Sequence, residues 1–563
     1  MRARRLTYVL LVVAAALAVS TFMTAAASAV GGSAPLRAGI TGTVIPGSGA
    51  EEGLPTAPAG LPSKKQQVKV LTAALAKMGK DYQKLPSSPG VADIYDYGIG
   101  SLWRQGIDGA GTTIAVIEGW DFPRIGSVVA GYDKTLGLPN PQIQTIFPAG
   151  KLPAKCPAGG SCGAWVGELE LDVLTAHLIA PYAKILISVT PAGTHISGDA
   201  VASLVAPPEM MLAVEAISHR HLANVISISD GTGESTYSHG RADILAQDPG
   251  ELAAATAGIP LLVASGDCGA VENVTETSRN CADTSGTPDT FAWTDSPWVT
   301  AVGGSVPNFS ATGARRGPDP LMRLNGLYSE GAGFSTVYSR PAYQNGVARI
   351  TGSPMRSVPD ITMDATGGTS EAAPMMAGVL ALATQLNDGN IGPINQALYG
   401  VLGPAGAKDG IADVISGNNS VVNSKGKVIV RGFAAGRGFD VASGWGTVYA
   451  PKFVPSLVAA TRTAGDDRTA RQQAQAQLAD LERNSIQLAP AGSGNSYLLA
   501  GGLLPEHPVR LTIDGKLIAT LTANPLGEVT YTISPVLLHL AAGRHTVALA
   551  SLLITETASL SVR

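Results

Sequence analysis

The chain predicts an α/β protein built on a parallel β-sheet with helices on both faces, followed by a small antiparallel β-sandwich. Two observations predict the first part. Continuous apolar runs such as Thr112–Ile117 and Lys184–Val189 recur along the chain, and helical patterns lie between them. Strands of a parallel sheet read this way because crossover helices cover both faces, so neither face needs polar residues. A third observation predicts the second part: beyond about Ser485 the runs become short and alternating, separated by glycine turns.

In chain order, Met1–Ala29 reads as a secretory signal. Arg2, Arg4 and Arg5 form a basic start, Tyr8–Val19 is apolar, and Ala27-Ser28-Ala29 is a small-residue cleavage site. No later apolar run is long enough to span a bilayer. The mature chain is therefore expected outside the cell, off the membrane, and as a monomer. Residues 30–87 read as a short propeptide or linker. Their first half, Val30 to about Pro62, is rich in Gly, Pro, Ala and Ser. Ser63–Lys84 then carries Val68, Leu71, Leu75 and Met78 at helical spacing.

Residues 88–460 carry the α/β pattern. The expected strands are Thr112–Ile117, Lys184–Val189, Val225–Ser229, Pro260–Ala264 and Trp298–Val302, with helices such as Pro208–Leu222 and Pro249–Ala257 between them. Ligand sites in such sheets lie at the carboxyl ends of the strands. Residues 461–484, polar with a helical Ala/Gln/Leu/Arg pattern, read as a connector. Residues 485–563 form the β-sandwich. Val509–Ile513 and Lys516–Thr522 flank Asp514-Gly515, a hairpin signal, and further short strands follow. This part resembles bacterial immunoglobulin-like modules, which implies a cell-surface or polymer ligand.

The net charge of −4 and a charged fraction of only 15% give no electrostatic basis for binding nucleic acid. The four cysteines suit an oxidising compartment. They allow three pairings, of which the two local ones, Cys156 with Cys162 and Cys268 with Cys281, are preferred. No Cys-x-x-Cys or nearby His pair suggests a metal held by these residues.

The chemistry centres on Gly367-Gly368-Thr369-Ser370-Glu371-Ala372-Ala373-Pro374, which leads into an apolar helical run. It reads as a tight turn feeding a buried helix, with Ser370 in the first turn and Pro374 in the same turn, where an N–H has no intrahelical partner anyway. A hydroxyl there sits where the helix dipole and free N–H groups favour negative charge. Taken alone, such a serine is an ordinary N-cap. No histidine before it, from His177 to His239, sits in a Gly-x-His-Gly-Thr run, so an imidazole base is not expected. Glu168 and Asp172 lie four apart on a helix expected from about Gly167 to Ile179, which puts both carboxylates on one face. Alone they would be a surface acidic pair. Asp267, in Ala264-Ser265-Gly266-Asp267, follows a buried strand and stands at the sheet's carboxyl edge; alone it would be a turn residue.

Together these segments resemble the sedolisins, the serine-carboxyl peptidases. The resemblance runs from about Ser88 to Pro455 and includes Ala180-Pro181-x-Ala183, Ser296-Pro297, Ala301-Val302-Gly303-Gly304 and Pro359-Asp360. It implies a subtilisin-like fold acting on protein or peptide substrates. Ser370 would attack the scissile carbonyl, and Glu168 would take its proton. Asp172 would hydrogen-bond and orient Glu168. Asp267 would donate a hydrogen bond to the oxyanion beside the Ser370 N–H. To donate it must be protonated, and an ordinary aspartic acid has a pKa near ~3.9, so an acidic optimum is expected. Glu118 matches a supporting carboxylate of kumamolisin-like members, yet the Trp that accompanies it there is replaced here, in Ser229-Asp230-Gly231. The resemblance also implies one structural Ca²⁺, held by the side chains of Asp413 and Asp440 and the carbonyls of Val414, Gly436 and Gly438, hard oxygen ligands on glycine-bent loops. Two features depart from the family. The hairpin-sized segment before Gly-Thr-Ser shrinks to Asp364-Ala365-Thr366, and the propeptide is short. A non-catalytic surface-binding protein on a peptidase scaffold is the competing expectation.

Overall fold

Strand β1 (Thr113–Glu118) is buried along its whole length, as its uninterrupted Ile-Ala-Val-Ile run dictates. Six strands join it: β2 (Ile143–Ile146), β3 (Lys184–Val189), β4 (Val225–Ile228), β5 (Leu261–Ala264), β6 (Val299–Ser305) and β7 (Ile361–Asp364). Neighbours are parallel throughout, in the order β7-β6-β5-β4-β1-β3-β2. The computed structural model describes residues 60–81, 90–150, 152–157, 160–194, 208–272, 281, 286–308, 317–324, 328–463, 466–484, 486–491 and 494–562. The signal expected at Met1–Ala29 and the Gly/Pro-rich stretch up to residue 59 lie outside the described residues. Each expected strand is present with ends shifted by a few residues; β2 and β7, short and at the two edges, were not anticipated.

Side-chain alternation distributes the strands between two cores. Ile114, Val116, Ile185 and Ile187 face one cluster, with helices α3 (Cys162–Ile179) and α6 (Thr369–Asn387). Ala115, Ile117, Leu186 and Ile226 face the other, with α4 (Pro208–His219) and α5 (Asp248–Ala257). Helices α3 and α6 cross closely at Gly378, where a Cβ would lie 2.6 Å from Ile179 Cβ. Connections from β1 run outward to β3 and β2, whereas those from β4 run the opposite way. The crevice between the carboxyl ends of β1 and β4 is therefore the switch point where doubly wound sheets place ligands.

Helix α1 (Lys64–Asp81) is docked rather than solvated. Leu71, Leu75 and Met78 are buried in the first core with Leu102 and Trp103. A second helix, α2 (Val91–Asp96), follows it. After α7 (Ala450–Thr463) comes α8 (Asp466–Asn484), at the segment read as a connector. It packs on the domain, with Ala474 and Leu478 against Leu252, Ala255 and Trp298.

The last part is β8 (Ile486–Pro490), β9 (Ser496–Ala500), β10 (Pro508–Ile513), β11 (Lys516–Thr522), β12 (Val529–Ile533), β13 (Gly543–Ala550) and β14 (Thr555–Val562). They form two antiparallel sheets, β8-β9-β12 and β11-β10-β13-β14, around one apolar core. Asp514 and Gly515 turn β10 into β11 with φ of 49° and 77°, the left-handed pair that a two-residue hairpin requires. Leu553 leaves this domain to join the cluster of Met210 and Val214. Cys156–Cys162 and Cys268–Cys281 are disulfides. Among the described residues no helix is long and apolar enough to cross a membrane.

One buried ion pair fixes the approach to β7. Arg356 donates to Asp360 Oδ1 and Oδ2 at 2.7 and 2.6 Å, and both side chains are fully buried. Asp360 also accepts from the Ala301 N–H and the Tyr399 hydroxyl. Removing the cation strands a desolvated carboxylate. Arg356→Met is expected to lose about 3–5 kcal/mol in a denaturant titration, and a loss below 1 kcal/mol would contradict the pairing's role.

Candidate active site

Gly368 precedes α6 with φ 91° and ψ 173°, a conformation that glycine adopts without steric cost. A Cβ there would also lie 2.6 Å from Asp267 Oδ2. The turn thus delivers Thr369 and Ser370 to the start of α6 while Asp267 closes over it. Thr369 donates to Asp267 Oδ1 twice, from N–H at 2.8 Å and from Oγ1 at 3.0 Å. Asp267 stands just past the end of β5, where the sequence placed it.

Pro374 is not in the first turn of the helix as expected but is its sixth residue. Its missing N–H would otherwise bond the Ser370 carbonyl four residues back. That carbonyl instead accepts from Ser229 Oγ at 3.1 Å, across from the end of β4. The proline thus releases the nucleophile candidate's own backbone to a neighbouring strand.

The half-buried Ser370 hydroxyl lies within reach of the Glu168 carboxyl, whose ionised form it favours. Burial pushes Glu168 up to about 7, with a further rise from the Asp267 charge and an opposing pull from the Ser370 hydroxyl. Asp172, one helical turn on along α3, is fully buried. Burial and the charges of Glu118 and Glu168 hold it well above the usual carboxylate range, while the Ser229 hydroxyl lowers it. The expected Asp172–Glu168 hydrogen bond is not formed: neither Asp172 oxygen has a partner of hydrogen-bonding geometry. The two acids communicate through charge. Burial also raises Asp267, against the two Thr369 bonds. Ser370, Glu168 and Asp267 are thus brought together, with Asp172 behind Glu168.

Glu118 ends β1 fully buried, with both oxygens unbonded, and is pushed up by burial and then by Glu168 and Asp230. Asp230, two residues past β4, is raised to about 7 by burial and Glu168, while the Gly231 N–H opposes. Sequence reasoning noted Asp230 only as a departure. It missed Glu272 and Glu330 altogether. Glu272 accepts from the Cys268 N–H at 3.0 Å and is raised by burial, Asp267 and Glu330. Glu330 accepts from Ser265 Oγ at 2.8 Å and from the Gly304 N–H. The signal available for Asp230 was its place at a strand's carboxyl end; Glu272 and Glu330 sit on loops with no periodic pattern. Two of the histidines are engaged elsewhere: buried His177 meets Asp133 at 2.8 Å and His239 meets Asp243 at 3.2 Å. His195 lies outside the described residues.

The shortened segment forms a tight turn. The Thr366 N–H donates to Asp364 Oδ1 at 2.9 Å, and the Gly367 N–H and Thr366 Oγ1 donate to Glu371 Oε2 at 2.7 and 3.2 Å. Hydrogen bonds link some of the calcium candidates to one another. The Gly438 N–H donates to Asp413 Oδ2 at 2.9 Å, and the Gly436 N–H to Asp440 Oδ2 at 2.7 Å. Asp440 Oδ1 accepts from the Ala442 and Ser443 N–H groups and from Ser443 Oγ. Asp413 Oδ1 is buried and without a partner, the sort of oxygen a cation would satisfy; Val414 is buried next to it.

No protein-family model matches the chain. Kumamolisin from Bacillus sp. is 28% identical over 388 residues, covering 63% of this chain and 61% of the relative. Sedolisin from Pseudomonas sp. is 28% identical over 249 residues, covering 40% of each. Human tripeptidyl-peptidase 1 is 30% identical over 244 residues, covering 37% of this chain and 38% of the relative. The chain thus spans less than two thirds of the length of these relatives. Superposition on the solved structure of Pseudomonas sedolisin, a serine-carboxyl proteinase complexed with pseudo-iodotyrostatin, gives a TM-score of 0.49 at 24% identity, over 64% of this chain and 94% of that one. By its sequence relatives, the chain is a homologue of the sedolisin family, whose members kumamolisin, sedolisin and tripeptidyl-peptidase 1 it matches.

Proposed function

We propose that the protein is a secreted, acid-active serine-carboxyl peptidase. The observation that carries this reading is the Ser370 hydroxyl at a helix start beside the Glu168 carboxyl, with a second carboxyl, Asp267, fixed by the neighbouring Thr369. Ser370 Oγ attacks the peptide carbonyl, its proton passes to Glu168, and Glu168 returns it to the leaving amine. Asp172 and Glu118 stand behind the base and are themselves held neutral by burial and its charge. Asp267 and the Ser370 N–H receive the oxyanion.

This chemistry needs Glu168 ionised while Asp267 holds a proton. Burial raises both, and the charge on Asp267 raises Glu168 further, so over part of the acidic range one of the two is charged while the other keeps its proton. A substrate carbonyl beside Asp267 selects the reactive arrangement, because a neutral acid donates to that oxygen and an anion repels it. Below that range both acids are protonated and no base remains. Towards neutrality both ionise and the donor is lost. Activity is therefore bell-shaped with pH and strongest on the acid side. Hydrolysis of a denatured protein at pH 3–5 tests the reading: the wild type cleaves and Ser370→Ala does not. A Ser370→Ala variant as active as the wild type, or a wild type inert at every pH, would favour the surface-binding alternative.

Calcium fits the second group of residues. Asp413 and Asp440 with the carbonyls of Val414, Gly436 and Gly438 would hold the ion and stabilise the loops after α6. Chelation is expected to lower the melting temperature and activity together; an unchanged melting curve in chelator removes the site. The antiparallel domain has the seven strands and single core of an immunoglobulin-like module, and we assign it adhesion to a cell-surface or polymer ligand.

A further inference from the structure

We propose that Asp93, Asp364 and Glu371 bind a second hard divalent cation, such as Ca²⁺, which ties α2 to the end of β7 and the first turn of α6. One carboxylate oxygen from each of the three lies within 4.8 Å of the others, and all three side chains are buried. Calcium–oxygen distances are about 2.3–2.6 Å, so ligands on opposite sides of one ion are roughly 5 Å apart. The spread of these atoms thus fits a single ion.

The cluster is built rather than incidental. Backbone N–H groups hold one oxygen of each acid: Gly90 donates to Asp93 Oδ2 at 3.1 Å, Thr366 to Asp364 Oδ1 at 2.9 Å, and Gly367 to Glu371 Oε2 at 2.7 Å. Asp93 Oδ1 has no partner of hydrogen-bonding geometry, although Asp93 and Asp364 lie close enough to share a proton. An independent observation comes from Tyr97. Its side chain is fully buried and its hydroxyl has no partner. The charges acting on that hydroxyl are those of Asp364, Asp319, Asp96 and Asp93, so an unsatisfied buried oxygen lies in the neighbourhood of these acids. The charged groups that act most on Asp93, Asp364, Tyr97 and Tyr132 are all acids. Uncompensated carboxylates do not persist in an interior; a bound cation or shared protons must offset them. All-oxygen ligands select a hard ion. The site also stands where the segment before the nucleophile is short, so the ion would brace that turn. It is separate from the Asp413–Asp440 group and does not depend on the peptidase reading.

The test uses full-length protein stripped with chelator and titrated at pH 7 with Tb³⁺, excited through tyrosine, with Ca²⁺ as competitor. Tyr97 is the expected donor. Wild type should show saturable luminescence that Ca²⁺ displaces. Asp93→Asn and Asp364→Asn should lose one bound ion, Asp413→Asn should keep this site, and Tyr97→Phe should dim the signal. If the asparagine variants fail to fold, the Asp413→Asn protein still decides, because Ca²⁺ should raise its melting temperature. An Asp93→Asn protein that binds as many ions as wild type overturns the site. So does an Asp413→Asn protein that Ca²⁺ neither binds nor stabilises. So, too, does an Asp93→Asn variant that is more stable than wild type with an unchanged ion count, which would mark an acid cluster bridged by protons.

Discussion

Glu168→Gln should lower kcat/KM on a peptide substrate by roughly 10²–10⁴-fold, the usual range for removing a general base. The amide has nearly the same shape and still accepts from Ser370, but it cannot take the proton. The same variant should be at least as stable as the wild type at pH 7. Glu168 is raised from 4.5 to about 7 in the folded chain. Between these values the unfolded state has lost a proton that the folded state keeps. Stability is therefore full below the unfolded value and declines as pH rises towards the folded one. The decline is on the order of 1–3 kcal/mol, and glutamine abolishes it. A dead enzyme with an unchanged or improved neutral-pH melting curve is the expected pair of results. A Gln variant that retains most of its activity would remove Glu168 from the chemistry.

Asp267→Asn and Asp267→Ala should part company as pH rises. Alanine removes a donor to the oxyanion, a loss of about 10²–10³ in kcat. Asparagine can still accept from Thr369 through its carbonyl and presents an N–H₂ where Oδ2 now lies. It donates at every pH, so the descending limb of the pH profile should move towards neutrality while the acid-side rate stays within about tenfold of wild type. The reasoning turns on sign: Asp267 is a donor only below its folded pKa, which burial raises, so the wild type loses the donor as pH climbs through that value. A wild-type and an Asn profile that superimpose would show that Asp267 does not act by donating a proton.

Much of this architecture was legible in the residues because period and burial are local. The apolar run at Lys184–Val189 is the strand itself, and Asp514-Gly515 announced its hairpin. The acids at Glu168, Asp172 and Asp267 stood out because each occupies a patterned position, a helix face or a strand end. The register of acids behind them did not. Asp230, Glu272, Glu330 and Asp93 lie on loops or short helices with no period to mark them, and only the three-dimensional packing removes water from them. Pro374 misled for a related reason. A proline near a helix start is ordinarily a first-turn residue, and that its absent N–H serves the Ser229 bond depends on a strand more than 140 positions earlier. Sheet order is likewise a product of long-range packing, to which periodicity is blind.

The docking of α1 bears on maturation. Leu71, Leu75 and Met78 are interior residues of the same core that contains α6. Proteolysis between Asp81 and Gly90 would therefore not liberate the upstream fragment. It would yield a nicked, two-chain species whose shorter chain is retained by this burial and by bonds such as that from Lys77 Nζ to the Lys134 carbonyl, and dissociates only when the larger chain denatures.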